Sequence, residues 1–313
     1  MAQKYPIHPD FRLLKYLHMP FNRVILAVEN FFLSLLYHLQ PNTKGVVRKR
    51  HRIMARDGYE IKLDFFIPKH KTGPFPAIIY YPGGGFVMPA THIHRYNLSK
   101  IVGDLKIIGV MVHYRLSPKY SFPTAFYDAI DALEMLKKNH KDWNILLHKI
   151  MLAGDSAGGN LAAGVSLYEK DNHNDIYPQM LVYPALNRGA ESESRRLYYD
   201  APMLKKTTLD NVAKVYFRNG YQGMEKYATP CLHPEMSGLG PCYIETAEFD
   251  PLHDDGICFH QQLLKAGVAS RLLETKGTVH GYDVIRKSPI VMKSVKERHA
   301  FIREMLTHDL LQE

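Results

Sequence analysis

Residues 149–160 read Lys-Ile-Met-Leu-Ala-Gly-Asp-Ser-Ala-Gly-Gly-Asn, an apolar run of strand length that breaks into a serine flanked by glycines. Glycines two positions either side of Ser156 let the chain reverse sharply from strand to helix, because a side chain at either place would collide with neighbouring backbone. The turn lifts the serine hydroxyl to the carboxyl edge of a sheet. A helix beginning at Ala157 aims its free amides and positive dipole end at the same spot. This is a nucleophile elbow; the competing reading is an ordinary glycine-rich turn with a capping serine, and the rest of the chain decides between them.

A serine hydroxyl is a poor nucleophile near neutrality, so it needs a base within hydrogen-bond reach and a third group to orient that base. Cys242–Ala247 reads as a strand and precedes Asp250-Pro251-Leu252, while Ser270–Glu274 reads as a strand and precedes a loop carrying His280-Gly281-Tyr282. The order serine, aspartate, histidine is unlike the two common protease orders. Asp250 before Pro251 also fits a helix N-cap, and Asp254 and Asp255 in the first turn of that helix read as structural.

Residues 76–82, Pro-Ala-Ile-Ile-Tyr-Tyr-Pro, form an apolar strand that ends in Gly83-Gly84-Gly85-Phe86. Successive glycines expose amides without side-chain obstruction, as an oxyanion needs. No Gly-Lys-Ser/Thr follows, and the spacing of a dinucleotide fingerprint is absent.

With these motifs, together with Tyr114-Arg115-Leu116-Ser117-Pro118, Phe122-Pro123 and Asp128-Ala129, the chain resembles the hormone-sensitive-lipase-like branch of the α/β-hydrolase family over about residues 50–310. The resemblance implies a serine carboxylester hydrolase with Ser156 as nucleophile, His280 as base and Asp250 as its orienter. Its oxyanion hole would lie in Gly83, Gly84 and Gly85 with Ala157, the amides of Gly84, Gly85 and Ala157 being the expected donors. Two positions depart from the family. Pro82 stands where it usually has histidine, so the glycine loop must be braced by something else, with Tyr81, Arg115 and His113 the nearest candidates by motif. His113 stands where aspartate is common before Tyr-Arg-Leu.

The alternation of strand-length apolar runs with helical pattern predicts a single α/β-hydrolase domain over 1–313, with a mostly parallel eight-stranded sheet covered by helices on both faces. Strands are expected near 50–56, 60–67, 76–82, 107–114, 149–154, 179–184, 241–248 and 270–275, and helices near 122–139, 157–169, 252–266 and 290–311. Residues 1–45 and 187–235 are aromatic, basic and interrupted, and are expected to form a helical cap in which Tyr198, Tyr199, Tyr216, Phe217 and Tyr221 are candidates to line a pocket. The apolar run 24–39 is shorter than the roughly 20 residues a span requires and holds Glu29 and His38, so it reads as a cap helix; contact of its apolar face with a lipid surface is the alternative.

The formal charge of +9 is spread along the chain, including Lys44, Arg48, Lys49, Arg50, Arg52, Lys205 and Lys206, which argues against a nucleic-acid partner. The three cysteines, Cys231, Cys242 and Cys258, lack metal spacing and fit free thiols in the cytoplasm. His92 and His94 have no carboxylate or cysteine cluster beside them, so no metal and no cofactor is implied. The expected reaction is hydrolysis of short- to medium-chain acyl esters through an acyl-serine. The alternatives are a peptidase or amidase on the same fold, or a ligand-binding member. The expected partner is a small-molecule ester, with no integral membrane segment and a homodimer as one open assembly.

Overall fold

Eight strands form one sheet: β1 (Val46–Met54), β2 (Glu60–Pro68), β3 (Phe75–Tyr81), β4 (Ile108–His113), β5 (Ile145–Asp155), β6 (Gln179–Val182), β7 (Cys242–Phe249) and β8 (Ser270–Val279), in the order β1-β2-β4-β3-β5-β6-β7-β8. The β1–β2 and β2–β4 pairs are antiparallel and every later pair is parallel. The helices are α1 (Arg23–Leu39), α2 (His92–Leu105), α3 (Thr124–Lys138), α4 (Ala157–His173), α5 (Glu193–Leu197), α6 (Lys206–Tyr216), α7 (Glu225–Ala228), α8 (His253–Lys265) and α9 (Pro289–Leu306). This computed structural model describes residues 4–17, 22–69, 72–188 and 191–307. Parts of the expected cap (1–3, 18–21, 189–190) and of the expected last helix (308–311) lie outside the described residues.

Side chains alternate across a strand, and β3 shows how that builds two layers. Ala77, Ile79 and Tyr81 join the core beneath α3, α4 and α8, whereas Ile78 and Tyr80 join the core beneath α2 and α9. Each expected strand is present, three with clearly different extents; β5 begins at Ile145 rather than near 149, where it pairs with Phe75 before the register shift in β3. β1 begins at Val46 rather than near residue 50, because Val46 pairs with Pro68 and lengthens the hairpin with β2. β8 runs on to Val279, which pairs with Phe249 after a register shift. His280 therefore follows the strand directly instead of riding on a loop.

α1 buries Leu26 and Tyr37 but leaves Val24, Ile25, Val28, Phe31, Phe32, Leu35, Leu36 and Leu39 exposed. Its C-terminal end is tied to the sheet by the Tyr37 hydroxyl, which donates to Asp64 Oδ2 at 2.6 Å. No described helix is long and apolar enough to cross a membrane.

The strand register sets the functional edge. Tyr81 at the end of β3 is opposite Gly154 at the end of β5, so the loops that leave these strands emerge side by side. The chain packs too closely here for side chains. A Cβ on Gly158 would stand 1.9 Å from the Tyr81 carbonyl oxygen, and one on Gly154 would stand 2.3 Å from that of Gly158. Gly158→Ala should therefore cost about 3 kcal/mol or more, since only backbone can yield. Chemical denaturation checks this, and an unchanged midpoint would contradict the packing argument.

Candidate active site

Ser156 occupies the strand-to-helix turn at φ 52° and ψ −119°, a conformation that a non-glycine residue holds only when its surroundings enforce it. Its amide donates to Val182 O at 2.9 Å, and its carbonyl accepts from Ala185 N at 3.2 Å. Asp250 follows β7 and is wholly buried; its Oδ1 accepts the Leu252 amide at 2.9 Å. His280 lies between the two, with Nδ1 2.6 Å from Asp250 Oδ2 and Nε2 2.9 Å from Ser156 Oγ. A carboxylate can only accept, so Nδ1 carries the proton and Nε2 is left to accept from the serine hydroxyl. Burial disfavours the imidazolium, but the Asp250 charge and hydrogen bond outweigh it, so the His280 pKa stands above its ordinary value of 6.5.

Asp254 and Asp255 turn elsewhere. Asp254 accepts from the Ser194 amide at 2.8 Å and contacts His253 at 3.0 Å. Asp255 is buried, pairs with Arg195 at 2.9 Å and accepts the amides of Leu186 and Asn187 at 2.9 and 2.8 Å; burial raises its pKa to about 6 against those interactions.

Across from Ser156, Gly84 (φ 120°), Gly85 (φ 60°) and Phe86 (φ 59°) turn the chain so that the Val87 and Met88 amides close back on the Gly84 carbonyl at 3.1 and 2.9 Å. Among the described residues no acceptor takes the amides of Gly84, Gly85 or Ala157. Gly83 corrects the expected set: its amide donates to Asp155 Oδ1 at 3.0 Å and is not free for an oxyanion.

That contact also identifies the brace of the glycine loop, and none of the three candidates expected from the motifs supplies it. The Tyr81 hydroxyl donates to Ala129 O at 3.1 Å, Arg115 is forked onto Asp128 and reaches Asp57 at 2.6 Å, and His113 meets Asp64 at 3.0 Å. Instead, the buried Asp155 carboxylate accepts the Tyr80 hydroxyl at 2.8 Å and His94 Nε2 at 3.2 Å, besides Gly83. His94 Nδ1 accepts the Thr91 amide at 2.8 Å, which leaves Nε2 protonated for Asp155. The Tyr114 hydroxyl donates to the Pro82 carbonyl at 2.6 Å. Pro82 contributes an acceptor where its missing amide could contribute no donor.

The residues after His280 are anchored by a second buried network. Arg298 of α9 donates through Nη1 to Asp283 at 2.9 Å and through Nε to Glu245 at 3.0 Å. Tyr183 donates to Asp283 at 2.7 Å, and its ring lies 4.8 Å from that of His280. Neither network stood out from sequence, although Asp155 sits inside the serine motif and His94 inside the segment weighed for metal binding. Among the described residues Glu134, Glu169 and His173 could surround an ion, but Lys137 already reaches Glu134 at 2.7 Å and Glu169 at 3.1 Å.

A cavity of about 460 Å³ borders these elements, with Phe86, Asn160, Ala185, Leu252, Phe217 and Tyr221 among the residues that line it. Tyr216 is buried and stacks on Phe86 at 3.9 Å between ring centroids. Tyr198 packs on Tyr5 and Phe249, and Tyr199 is exposed beneath Lys4, so neither lines this cavity.

A family model described as the alpha/beta hydrolase fold matches residues 78–284. The chain is 30% identical over 247 residues to carboxylesterase NlhH of Mycobacterium tuberculosis, covering 77% of each protein. It is 28% identical over 227 residues to an arylesterase of Saccharolobus solfataricus, covering 72% of this chain and 74% of that protein. Among solved structures, a bacterial heroin esterase superposes with a TM-score of 0.89 at 27% identity, covering 97% of this chain and 99% of the other.

The His280 environment fixes a sign that NMR can read. In the intact protein the ring should titrate above 6.5, because Asp250 favours the charged form. In Asp250→Asn burial is opposed only by the more distant charges of Asp155 and Asp283, so the midpoint should fall. An unmoved midpoint would show that Asp250 does not govern the imidazole.

Proposed function

Since the chain belongs to the α/β-hydrolase family, in its hormone-sensitive-lipase-like carboxylesterase branch, we propose that Ser156, His280 and Asp250 carry out the ester hydrolysis as a catalytic triad. The observation that carries this reading is the unbroken hydrogen-bonded line Asp250–His280–Ser156, with distances of 2.6 and 2.9 Å. His280 Nε2 takes the serine proton as Oγ attacks the ester carbonyl carbon. The tetrahedral oxyanion is received by the amides of Gly84, Gly85 and Ala157, preorganised donors that need no rearrangement when charge develops. Collapse breaks the bond to the alkoxy oxygen, which leaves with the proton from His280. Water then attacks acyl-Ser156 with His280 again as base, releasing the acid and the free serine. Asp250 holds the tautomer and stabilises the imidazolium formed in each half-reaction.

Residues 1–45 and 187–235, as far as they are described, form the cap in this reading. Two contacts support it: Tyr216 stacks on Phe86, and Asn30 Nδ2 donates to the Val87 carbonyl at 2.8 Å, so each segment touches the glycine loop. A cavity of about 460 Å³ bounded by the second segment fits short- to medium-chain acyl groups. Three cysteines without disulfides fit a reducing cytoplasm. A peptidase or a purely ligand-binding role is not favoured, given relatives named as esterases.

Hydrolysis of p-nitrophenyl acetate, butyrate and decanoate, set against aminoacyl anilides, tests the substrate class. Ser156→Ala should lower esterase kcat by about 10⁴-fold or more with the fold intact; near-normal turnover would sink the mechanism. Asp250→Asn should cost on the order of 10⁴-fold, whereas Asp254→Asn, which removes only a contact to Ser194 and His253, should cost less than about tenfold. The reverse ranking would assign the orienting role to the wrong carboxylate.

A further inference from the structure

The cavity bounded by Phe86 of the glycine loop, by Asn160 one turn after Ser156 and by Ala185 carries more positive charge than its walls neutralise. Arg188, Arg195 and Lys214 line it, against Asp210 and Asp255. Arg195 is paired with Asp255 at 2.9 Å, and Asp210 is paired with Lys206 at 3.1 Å. Arg188 has no carboxylate within ion-pair distance among the described residues. Its guanidinium carbon lies 4.1 Å from the Phe217 ring centroid and 5.4 Å from that of Tyr221, and Nη1 donates to the Tyr221 hydroxyl at 2.5 Å. The two rings orient the planar cation without cancelling its charge, and a single hydroxyl uses one of its five N–H donors. A half-buried guanidinium set against two aromatic rings, with donors to spare, can take a carboxylate in a bidentate pair.

Its distance from the chemistry is bounded by the chain. Ala185 N bonds to the Ser156 carbonyl, and Arg188 follows three residues later, so its Cα lies within about 11 Å of the Ala185 Cα, with the length of its side chain to add. Resting on the triad reading above, we infer that the ester this site takes bears a carboxylate away from the scissile carbonyl, received by Arg188, with Lys214 at the rim adding to the attraction. The substrate class is anionic esters, either half-esters of dicarboxylic acids or acyl esters of a carboxylate-bearing alcohol.

The test compares kcat/KM within two pairs of equal shape: monomethyl adipate against methyl hexanoate for an anionic acyl side, and 4-acetoxybenzoate against 4-tolyl acetate for an anionic alcohol side. In at least one pair the charged ester should be favoured about tenfold or more. Arg188→Met should lower that ratio roughly 10- to 100-fold, as expected for losing hydrogen bonds to a charged group, and Arg188→Lys should restore part of it. Because the ratio is taken within one enzyme preparation, partial unfolding of a variant cancels. Preference for the neutral ester in both pairs, or a ratio unmoved by Arg188→Met, would overturn the inference. If the wild type cleaves none of the four esters, calorimetry of Ser156→Ala with monomethyl adipate decides separately. Binding that Arg188→Met abolishes upholds the anion site while the triad reading fails, and no binding overturns the anion site as well.

Discussion

The carboxylate of Asp155 holds together the two backbone segments between which an ester carbonyl must fit. It lies in the strand that leads into Ser156, and it accepts the Gly83 amide at the start of the glycine loop. Strand register brings the ends of β3 and β5 alongside each other, but register alone leaves the loops free to splay. A buried carboxylate that accepts from Gly83, Tyr80 and His94 removes that freedom, because any opening would strand a charge without donors, at a cost of several kcal/mol. Burial works against the ionised form, yet His94 and the other donors hold the Asp155 pKa below the ordinary carboxylate range. The clamp therefore stays ionised through the ordinary carboxylate range and above it. The same aspartate gives Gly83 a structural task and leaves Gly84 and Gly85 with their amides free.

The elements and their order were legible because each rests on local chemistry. Strand-length apolar runs, glycines where backbones touch, and the order of Ser156, Asp250 and His280 all survive in a linear reading. The brace of the glycine loop was not legible, and strand alternation explains why. Tyr80 and Tyr81 are adjacent, yet one faces the layer of α2 and reaches Asp155, whereas the other faces α3 and bonds Ala129. Which face each residue takes depends on register with β4 and β5, and that is a long-range property. Arg115 was an equally plausible brace by motif, but Asp128 and Asp57 satisfy its donors first. His94 offers in sequence only a metal reading that its surroundings reject, because its helix position says nothing about a partner 61 residues away.

The cap region shows a similar division. Its aromatic composition announced packing or pocket lining without saying which residue did which. Tyr216 is buried on Phe86 and ties α6 to the glycine loop, whereas Phe217, the next residue, turns to the cavity and carries Arg188. One helical residue, about 100° of rotation, separates a supporting contact from a contact available to substrate. Tyr198 and Tyr199 lie beyond that face and serve the N-terminal segment through Tyr5 and Lys4.

Charge around His280 is balanced more closely than the hydrogen-bonded line alone suggests. Burial lowers the imidazole pKa, Asp250 raises it most, and Asp155 and Asp283 add to the rise. A base raised too far would stay protonated and could not take the serine proton; one left too low would not return it to a leaving alcohol. Of the other carboxylates, Asp283 is paired with Arg298 and Asp155 with His94, so neither is directed at the imidazole alone. Asp250 differs from these carboxylates in having no cation paired with it besides His280 among the described residues. Of the acids near this edge it is the one whose full charge is directed at the imidazole, and that distinction, set by which carboxylates are already paired, separates the orienting acid from its neighbours.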